Sequence, residues 1–434
     1  MSDKLGLTNT SKGDFMSIGY ACLTRGVNDL RYKTCRKQNA TKENLAQLIE
    51  HNLAVLEDMI DYNQQQGIKL FRMSSDIIPF GSDFEVNDLN WSELFKTCFE
   101  RIGSKIRRNQ IRVSMHPGQY TVLNSPNPDV VSRAMDDLKY HTQFIDNLGV
   151  GPEHKIILHI GGVYGDKESA FDRFIEVYAR LEDAVKDRLI IENDDRLFTI
   201  EDVLKISDQT GAPVVYDNLH HYINGGKLDR SGAYWIEKAK ATWKDQDGKA
   251  KVHYSQQQYG AREGAHSYTV RIKEFLRYYQ SVEPLNVDIM LEVKDKNLSA
   301  VKCILATSDK EGIKNLEKEW ARYKYAILEK SQPHYQLIRE LLKDKNAYPV
   351  VSFYELIEEA LETVPSSKDA LNSLDHVWGY VSNEADIKEK KAYEKYKKEV
   401  ELSVESLPKA KRFLKRLAVK QNSTYLLESY YFDL

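Results

Sequence analysis

Imidazole and carboxylate side chains recur at the points where short apolar runs end in roughly the first two thirds of this chain. Of 11 histidines in 434 residues, four fall at such a point or within one turn of it, which chance explains poorly. A single histidine is more often an ordinary hydrogen-bonded residue than a metal ligand. Several carboxylates buried together with these histidines, however, would repel each other unless divalent cations were present. The pattern predicts a metal cluster formed by His116, His159, Glu192, Asp217, His220, His253 and Glu292.

The types of ligand narrow the choice of metal and of reaction. Mixed imidazole and carboxylate donors without thiolates suit manganese, zinc or iron and disfavour calcium. We expect Mn²⁺, with about two or three ions a few ångström apart. Such ions can hold a phosphodiester, polarise its bonds and lower the pKa of water to about 7. The predicted chemistry is therefore hydrolytic phosphoryl transfer.

Short apolar runs alternate with longer segments of helical periodicity between about residues 16 and 306. In the first long segment, apolar residues recur at i, i+3 and i+4 spacing from Leu45 to Ile60. Strands buried on both faces and separated by helices predict a parallel sheet, and eight such units predict a (β/α)8 TIM barrel. Active sites on this fold lie at the C-terminal ends of the strands, where the predicted ligands fall. The eight runs are MSIGYAC, IKLFRM, IRVSM, KIILHI, RLIIE, PVVYD, KVHYS and VDIMLEV.

The last part of the chain has a different pattern. We assign residues 1–306 to the barrel and residues 307–434 to a helical C-terminal extension, because Lys/Glu-rich helical segments punctuated by prolines replace the strand signal. The charge-dense stretch 384–420 is interpreted either as a solvated helix face or as a contact with the DNA backbone.

Composition limits the class of protein. The net charge of −3 argues against a protein that binds polyanions over its whole surface. Any site for nucleic acid must therefore be local, and the positive charge of a metal cluster would attract phosphate locally. Four scattered cysteines indicate reduced thiols, and no apolar run reaches the roughly 20 residues of a membrane span. The first 15 residues lack the apolar segment of a secretory signal. We expect a cytoplasmic protein, nucleoid-associated in a prokaryote.

Several motifs together resemble the ultraviolet damage endonuclease family. They follow the family's order over roughly residues 16 to 300, and their combination is highly specific although a single piece would not be. The family's fold is a (β/α)8 barrel, in agreement with the alternation above. The matching stretches are GYACLT, LFRMSSDIIPFGS, RVSMHPGQYTVLNSP, ILHIGGVYGDK, IIENDD, VVYDNLHHY, KVHYS, an isolated His266, and MLEVKDK.

The resemblance implies cleavage of the phosphodiester immediately 5′ to ultraviolet photoproducts in double-stranded DNA, with no obligate protein partner. It implies catalytic roles for Glu192, Lys251 and His266, where Lys251 is either carboxylated beside the metals or a lysine that positions phosphate, and His266 either contacts phosphate or binds metal. Its lesion-probing residues correspond to Tyr20, Gln119 and Tyr120 here. An inserted amide or ring can replace stacking that is lost when damaged bases swing out. The alternative role for Tyr120 is structural, as a side chain packed in the hydrophobic core.

Two positions depart from the family pattern. Asp83 stands where the family usually has a histidine, so one metal site is expected to have altered ligation. Thr24 stands where some members have an asparagine, so one hydrogen bond on the lesion side is expected to differ.

Two other functions fit parts of the pattern. A sugar isomerase or epimerase on a related barrel also places Glu, Asp and His around divalent ions, but it does not need exposed wedge residues such as Gln119 and Tyr120. A damage-binding protein without turnover would not need a cluster that activates water.

Overall fold

The computed structural model describes residues 16–27, 30–225, 230–308 and 312–434. The N-terminal segment, on which the expected lack of a secretory signal rests, lies outside this part of the chain. The strands of the described part are β1 Ile18–Ala21, β2 Leu70–Arg72, β3 Arg112–Ser114, β4 Ile156–His159, β5 Leu189–Glu192, β6 Val214–Asp217, β7 Lys251–Tyr254 and β8 Asp288–Leu291.

Helices separate the strands and then continue alone to the end of the chain. Those between the strands are α1 Lys42–Gln65, α2 Trp91–Leu94, α3 Lys96–Arg108, α4 Pro128–Asn147, α5 Lys167–Ala179, α6 Asp183–Lys186, α7 Ile200–Thr210, α8 Asn218–Asn224, α9 Gly232–Lys240 and α10 Ile272–Val282. Those after β8 are α11 Asn297–Thr307, α12 Ile313–Lys330, α13 Gln332–Leu341, α14 Val350–Glu362, α15 Ser367–Val381, α16 Ile387–Leu402, α17 Leu407–Lys420 and α18 Thr424–Leu427. Short 3-10 turns lie at Lys37–Asn39, Ser75–Ile77, Asp245–Asp247, Glu283–Leu285, Val404–Ser406 and Tyr430–Phe432.

The strands form a parallel ring in the order β3-β2-β1-β8-β7-β6-β5-β4. Between β3 and β4, the ring is closed by one parallel bridge that joins Met115 to Ile156. There the Met115 amide donates to the Lys155 carbonyl and the Ile157 amide to the Met115 carbonyl, each at 3.0 Å. The predicted (β/α)8 barrel with a helical C-terminal region is confirmed.

Alternation along the strands decides which side chains enter the barrel. Ala21, Leu70 and Met290 form one small buried cluster, and Ile157, Ile190 and Val215 form another. These are interior residues, because they are separate from the large core between the strands and the helices. Successive side chains of a strand point to opposite faces, so the residue two positions further on also points inward. This rule places His159, Glu192, Asp217 and Glu292 above the apolar layer, at the mouth of the barrel.

The helices cover the outside of the ring with one apolar face each. In α1 the buried residues Leu45, Ile49, Leu53, Leu56 and Ile60 follow the helical repeat expected from the sequence.

All four cysteines are free thiols. In the described residues, no helix is both long and apolar enough to cross a membrane.

The helices after α11 divide into two groups by their packing. Residues of α12 to α14 belong to the same hydrophobic core as the barrel, so that core continues across the predicted boundary at 306/307. Residues of α15 to α18 form a second core together with Tyr431 and with Tyr325 and Leu328 of α12, so α12 contributes to both cores. A buried ion pair joins the two parts of the chain, since Lys302 of α11 lies 2.9 Å from the Glu358 carboxylate of α14. The boundary itself stays a prediction.

Candidate metal centre

Six of the seven predicted ligands lie at or near the ends of consecutive strands, whereas the seventh, His220, lies in α8 and belongs to neither of the two ligand groups described below. His159, Glu192 and Asp217 are the last residues of β4, β5 and β6. Glu292 directly follows β8, His116 lies two residues beyond β3, and His253 is the third residue of β7. All of them are buried or partly buried. The structure therefore brings these six side chains to the mouth of the barrel.

One group of possible ligands consists of His116, His159 and Glu192, whose donor atoms lie within 4.8 Å of one another. Glu192 Oε2 is 3.3 Å from His116 Nε2 and 3.8 Å from His159 Nε2. Two imidazole nitrogens and a carboxylate oxygen at these distances can converge on one cation.

The second group consists of Glu192, Asp217, His253 and Glu292. His253 Nδ1 lies 2.8 Å from Glu192 Oε1 and 3.1 Å from Glu292 Oε1. Glu192 belongs to both groups, with one carboxylate oxygen turned toward each. If each group held a cation, Glu192 would contribute one carboxylate oxygen to each.

Backbone carbonyls orient two of the histidines. His220 Nδ1 is 2.9 Å from the Asn193 carbonyl, and His116 Nδ1 is 3.0 Å from the Pro117 carbonyl. A carbonyl can only accept, so each Nδ1 carries a hydrogen, and Nε2 is the nitrogen that could bind a metal in the neutral ring. Asn193 also exchanges two hydrogen bonds with the backbone of Asp217. Sequence reasoning did not select Asn193, although it directly follows Glu192.

Burial and mutual charge shift the pKa values of these groups in opposite directions. Burial raises the pKa of Glu192, but His253, His159 and His116 outweigh it and hold that pKa well below its usual range. Burial lowers the pKa of His159 to about 4, whereas Asp217, Glu192 and Glu292 overcome burial and raise the pKa of His220 to about 9. Burial also raises the pKa of Asp217. The acids at the mouth therefore favour positive charge beside them, which is seen in the raised pKa of His220.

The donor set fits divalent cations. Asp217 Oδ2, His253 Nε2 and Glu192 Oε2 are buried and have no hydrogen-bond partner among the described residues. Leaving a buried polar atom unpaired costs about 1 to 3 kcal/mol, and more for a charged group. Three such atoms in one small region are accounted for if they face metal ions, because coordination replaces the missing partners.

Arg72 is a residue of the site that sequence reasoning did not assign. It is the last residue of β2, and its guanidinium forms an ion pair with Glu292. Glu292 raises the pKa of Arg72 against the effect of burial, and Arg72 lowers the pKa of Glu292. The available signal was alternation, because Arg72 lies two residues after the interior Leu70. Arg72 holds Glu292 in its charged form.

Lys251 and His266 occupy different levels of the site. Lys251 begins β7, two residues before His253, and is buried inside the barrel. Burial, Arg112 and Arg72 lower its pKa well below the usual value. His266 lies in the loop after β7 and is partly exposed, with Nδ1 4.0 Å from Glu292 Oε2. His266 is not among the residues that form the two ligand groups.

Two of the three predicted lesion-probing residues lie on the surface. Gln119 and Tyr120, in the loop after β3, are exposed, and 67% of Tyr120 is accessible to solvent. Core packing, the alternative for Tyr120, is therefore wrong. Other tyrosines in the segments that follow the strands are exposed as well, and the sequence motifs did not single them out. They are Tyr222 in α8 and, in loops, Tyr164, Tyr259 and Tyr268.

Tyr20 is not brought to that surface. Its ring is fully buried against Phe71, and its hydroxyl lies 2.6 Å from Thr24 Oγ1. The reason is the alternation of β1, because Ala21 faces the interior and its neighbour Tyr20 consequently faces the helices. In this structure a lesion contact by Tyr20 has no support, and Thr24 is buried with it rather than placed on the lesion side.

Asp83 does not join the ligands either. Its carboxylate lies 3.5 Å from Lys37 Nζ in a solvent-exposed ion pair. It belongs to neither ligand group. The expectation that Asp83 alters the ligation of one metal site therefore finds no support in this arrangement.

Comparison with known proteins decides the family. The model of the family described as UV-endonuclease UvdE matches residues 14–324. The chain belongs to the UvdE family. A relative from Clostridium perfringens, named UV DNA damage endonuclease, is 40% identical over 351 residues, which cover 80% of this chain and 83% of the relative. A relative of the same name from Bacillus thuringiensis is 32% identical and covers 64% of this chain and 85% of its own length.

Solved structures and a second family model complete the comparison. The crystal structure named SacUVDE matches with a TM-score of 0.63 and 36% identity over 67% of this chain and 96% of that one. A model described as a protein of unknown function (DUF1722) matches residues 324–434. The UvdE match includes all the predicted ligands, and membership in this family identifies a nuclease that acts on DNA in the repair of UV damage.

Proposed function

We propose that this protein nicks the DNA backbone immediately 5′ to UV photoproducts, including cyclobutane dimers and 6-4 products, by metal-assisted hydrolysis. The observation that carries the proposal is the pair of ligand groups at the barrel mouth that share Glu192. The names of its relatives support damaged DNA as the substrate. A sugar epimerase has no comparable support from the family.

The two ligand groups suit two divalent cations. We favour Mn²⁺ as the metal because the donors are imidazoles and carboxylates. His116 and His159 would hold one ion, and Asp217, His253 and Glu292 the other, with Glu192 between them. His220 lies beside the second group, 3.8 Å from Asp217 Oδ1. When bound, such ions supply electrostatic polarisation of the phosphodiester and a lowered pKa for water.

Residues around the ligands position the substrate. Arg72 fixes Glu292, and His266 at the solvent edge of the site is placed to contact a phosphate. Lys251 is buried too deeply for that task. Burial, Arg112 and Arg72 lower its pKa, which favours the uncharged amine that can react with carbon dioxide. The carbamate that forms on loss of a proton would be an anion near Arg72 and Arg112. We therefore favour the carboxylated form of Lys251.

Gln119 and Tyr120 are proposed to probe the duplex at the lesion. They project from the loop after β3, close in sequence to the ligand His116. A photodimer stacks and pairs poorly, so its extrusion costs less than the few kcal/mol required for normal bases. An exposed ring and an amide that fill the vacated space would turn this difference into selectivity for damage.

The proposal is tested with supercoiled plasmid, irradiated or not, incubated with the protein and Mn²⁺. We expect nicked circles only from the irradiated plasmid, and loss of nicking when EDTA removes the metal. Binding to irradiated DNA without cleavage would indicate a damage-binding protein. If the protein neither binds nor cleaves irradiated DNA, the alternative of a small-molecule isomerase would be favoured.

We propose that DNA with UV lesions is the binding partner of this protein. We also propose a cytoplasmic, nucleoid-associated location without an obligate protein partner.

Replacing Tyr120 by alanine is expected to lower kcat/KM on irradiated DNA roughly ten- to a hundredfold, because stacking on an aromatic ring contributes about 1 to 3 kcal/mol per base. The side chain is exposed, so thermal stability should not change. A gel assay of nicking at low DNA concentration measures the loss. The matched control is Tyr222→Ala, which removes an equally exposed ring from α8. Equal losses in both variants would argue against a specific role for Tyr120.

A further inference from the structure

Helix α17 carries an unusual charge for this chain. Its 14 residues, LPKAKRFLKRLAVK, contain six cations and no acidic residue. The whole chain, by contrast, has a net charge of −3. In the neighbouring α16, glutamates are interleaved with lysines, as expected for a solvated helix face. The pattern of α17 therefore differs from that of an ordinary solvated helix.

Three of the six cations are held by acids of the same region. Lys411 is buried, lies 3.0 Å from Glu329 and donates to the Leu434 carbonyl at 2.9 Å. Lys415 lies 3.5 Å from Asp433, and Lys420 lies 2.7 Å from Glu389. These cations have structural partners. The same helix buries an apolar face against the second core through Ala410, Phe413, Leu414, Leu417 and Ala418.

The other three cations, Lys409, Arg412 and Arg416, form what we call the α17 basic face. They recur at i, i+3 and i+7, so they lie on one side of the helix. All three are exposed, and none has an ion pair within the described residues. Three unpaired cations along roughly 10 Å of helix form a local positive field on a slightly acidic protein.

The region is attached on the mouth side of the barrel. Lys411 and Lys415 contact residues 433–434, which follow Tyr430. Tyr430 packs against Gly26 in the loop after β1, where a Cβ would lie only 2.4 Å from the ring. The adjacent Arg25 bonds to Tyr268 in the loop after β7. Both loops extend from the strand ends that bear the ligands, so α17 is linked to this end of the barrel.

We propose that the α17 basic face binds phosphates of the DNA duplex that flanks the lesion. The inference rests on the proposed function, because that function supplies DNA at the barrel mouth. Lysine and arginine on such a face neutralise phosphates and release counterions, which contributes affinity without sequence preference. The contact would hold the duplex while the barrel mouth acts on the damaged site.

The test compares duplex binding by the variant Lys409→Gln/Arg412→Gln/Arg416→Gln with that by the wild type. Fluorescence anisotropy with an undamaged labelled duplex measures affinity between 50 and 200 mM salt. We expect the slope of log Kobs against log salt to become shallower by about 2 to 3, and affinity at 0.1 M salt to fall roughly tenfold or more. On irradiated DNA, KM should rise while kcat at saturation is unchanged.

Two controls separate a local contact from net charge and from misfolding. The variant Arg108→Gln/Lys205→Gln/Lys314→Gln removes three exposed cations from three other helices and should bind almost as the wild type does. The charge-preserving variant Lys409→Arg/Arg412→Lys/Arg416→Lys should retain binding. An unchanged affinity and salt slope for the α17 variant, or equal losses in the scattered control, would overturn the inference. A failure of damage-dependent nicking is observed separately and concerns the proposed function.

Discussion

Glu192→Gln is expected to abolish nicking of irradiated plasmid, with a loss of roughly a thousandfold or more in kcat. Glu192 Oε1 lies 2.8 Å from His253, and Oε2 lies 3.3 Å from His116, so one carboxylate serves both ligand groups. Glutamine keeps the shape of the side chain but removes the charge that both cations require. Loss of several kcal/mol of transition-state stabilisation corresponds to this factor at about 1.36 kcal/mol per tenfold. Binding of irradiated DNA should survive, because the exposed probing residues are untouched.

Metal analysis of the same variant provides a second readout. We expect fewer divalent ions per chain than in the wild type, together with normal circular dichroism. Glu201→Gln, an equivalent change at an exposed position of α7, should leave both metal content and nicking unchanged. Near-normal nicking by Glu192→Gln would refute the assignment of this residue to the centre.

Glu358→Ala is expected to lower the free energy of unfolding by about 3 to 5 kcal/mol, the usual effect of breaking a buried ion pair by removing one partner. The Glu358 carboxylate accepts from Lys302 Nζ at 2.9 Å and from the Ile272 amide at 3.0 Å. Without it, the buried Lys302 ammonium would retain only neutral acceptors. The two parts of the chain that meet at this pair should separate more easily. Urea denaturation followed by tryptophan fluorescence measures the change.

The neighbouring Glu359 offers a matched control. Its carboxylate is largely exposed and lies 3.5 Å from His334. Surface ion pairs contribute little, so Glu359→Ala should change the free energy of unfolding by no more than about 1 kcal/mol. Similar losses for both variants would show that the buried pair has no special role in joining α14 to the barrel.

The barrel and the convergence of most candidate ligands at its mouth could be predicted because both depend on local patterns. A buried parallel strand is a short apolar run, and its last residue marks the mouth of the barrel. Glu192 and Asp217 therefore follow directly from the ends of RLIIE and PVVYD. His116 lies two residues beyond β3, yet the main chain still delivers it to the same group of ligands.

The positions that could not be predicted depend on strand orientation or on loop geometry. A motif places Tyr20 near the mouth, but only the register of β1 shows that it faces the helices. Asp83 lies in a loop after a 3-10 turn, and only three-dimensional structure shows its pairing with Lys37. The partnership between Arg72 and Glu292 joins residues 220 positions apart. Such a pair has no local signal.

The closure of the barrel by one bridge leaves a weak seam between β3 and β4. His116 and His159 stand on opposite sides of that seam, and they belong to the same ligand group. An ion held by both would link the two strand ends across this seam. Metal binding would then strengthen the closure of the barrel at the place where the backbone pairing is sparsest.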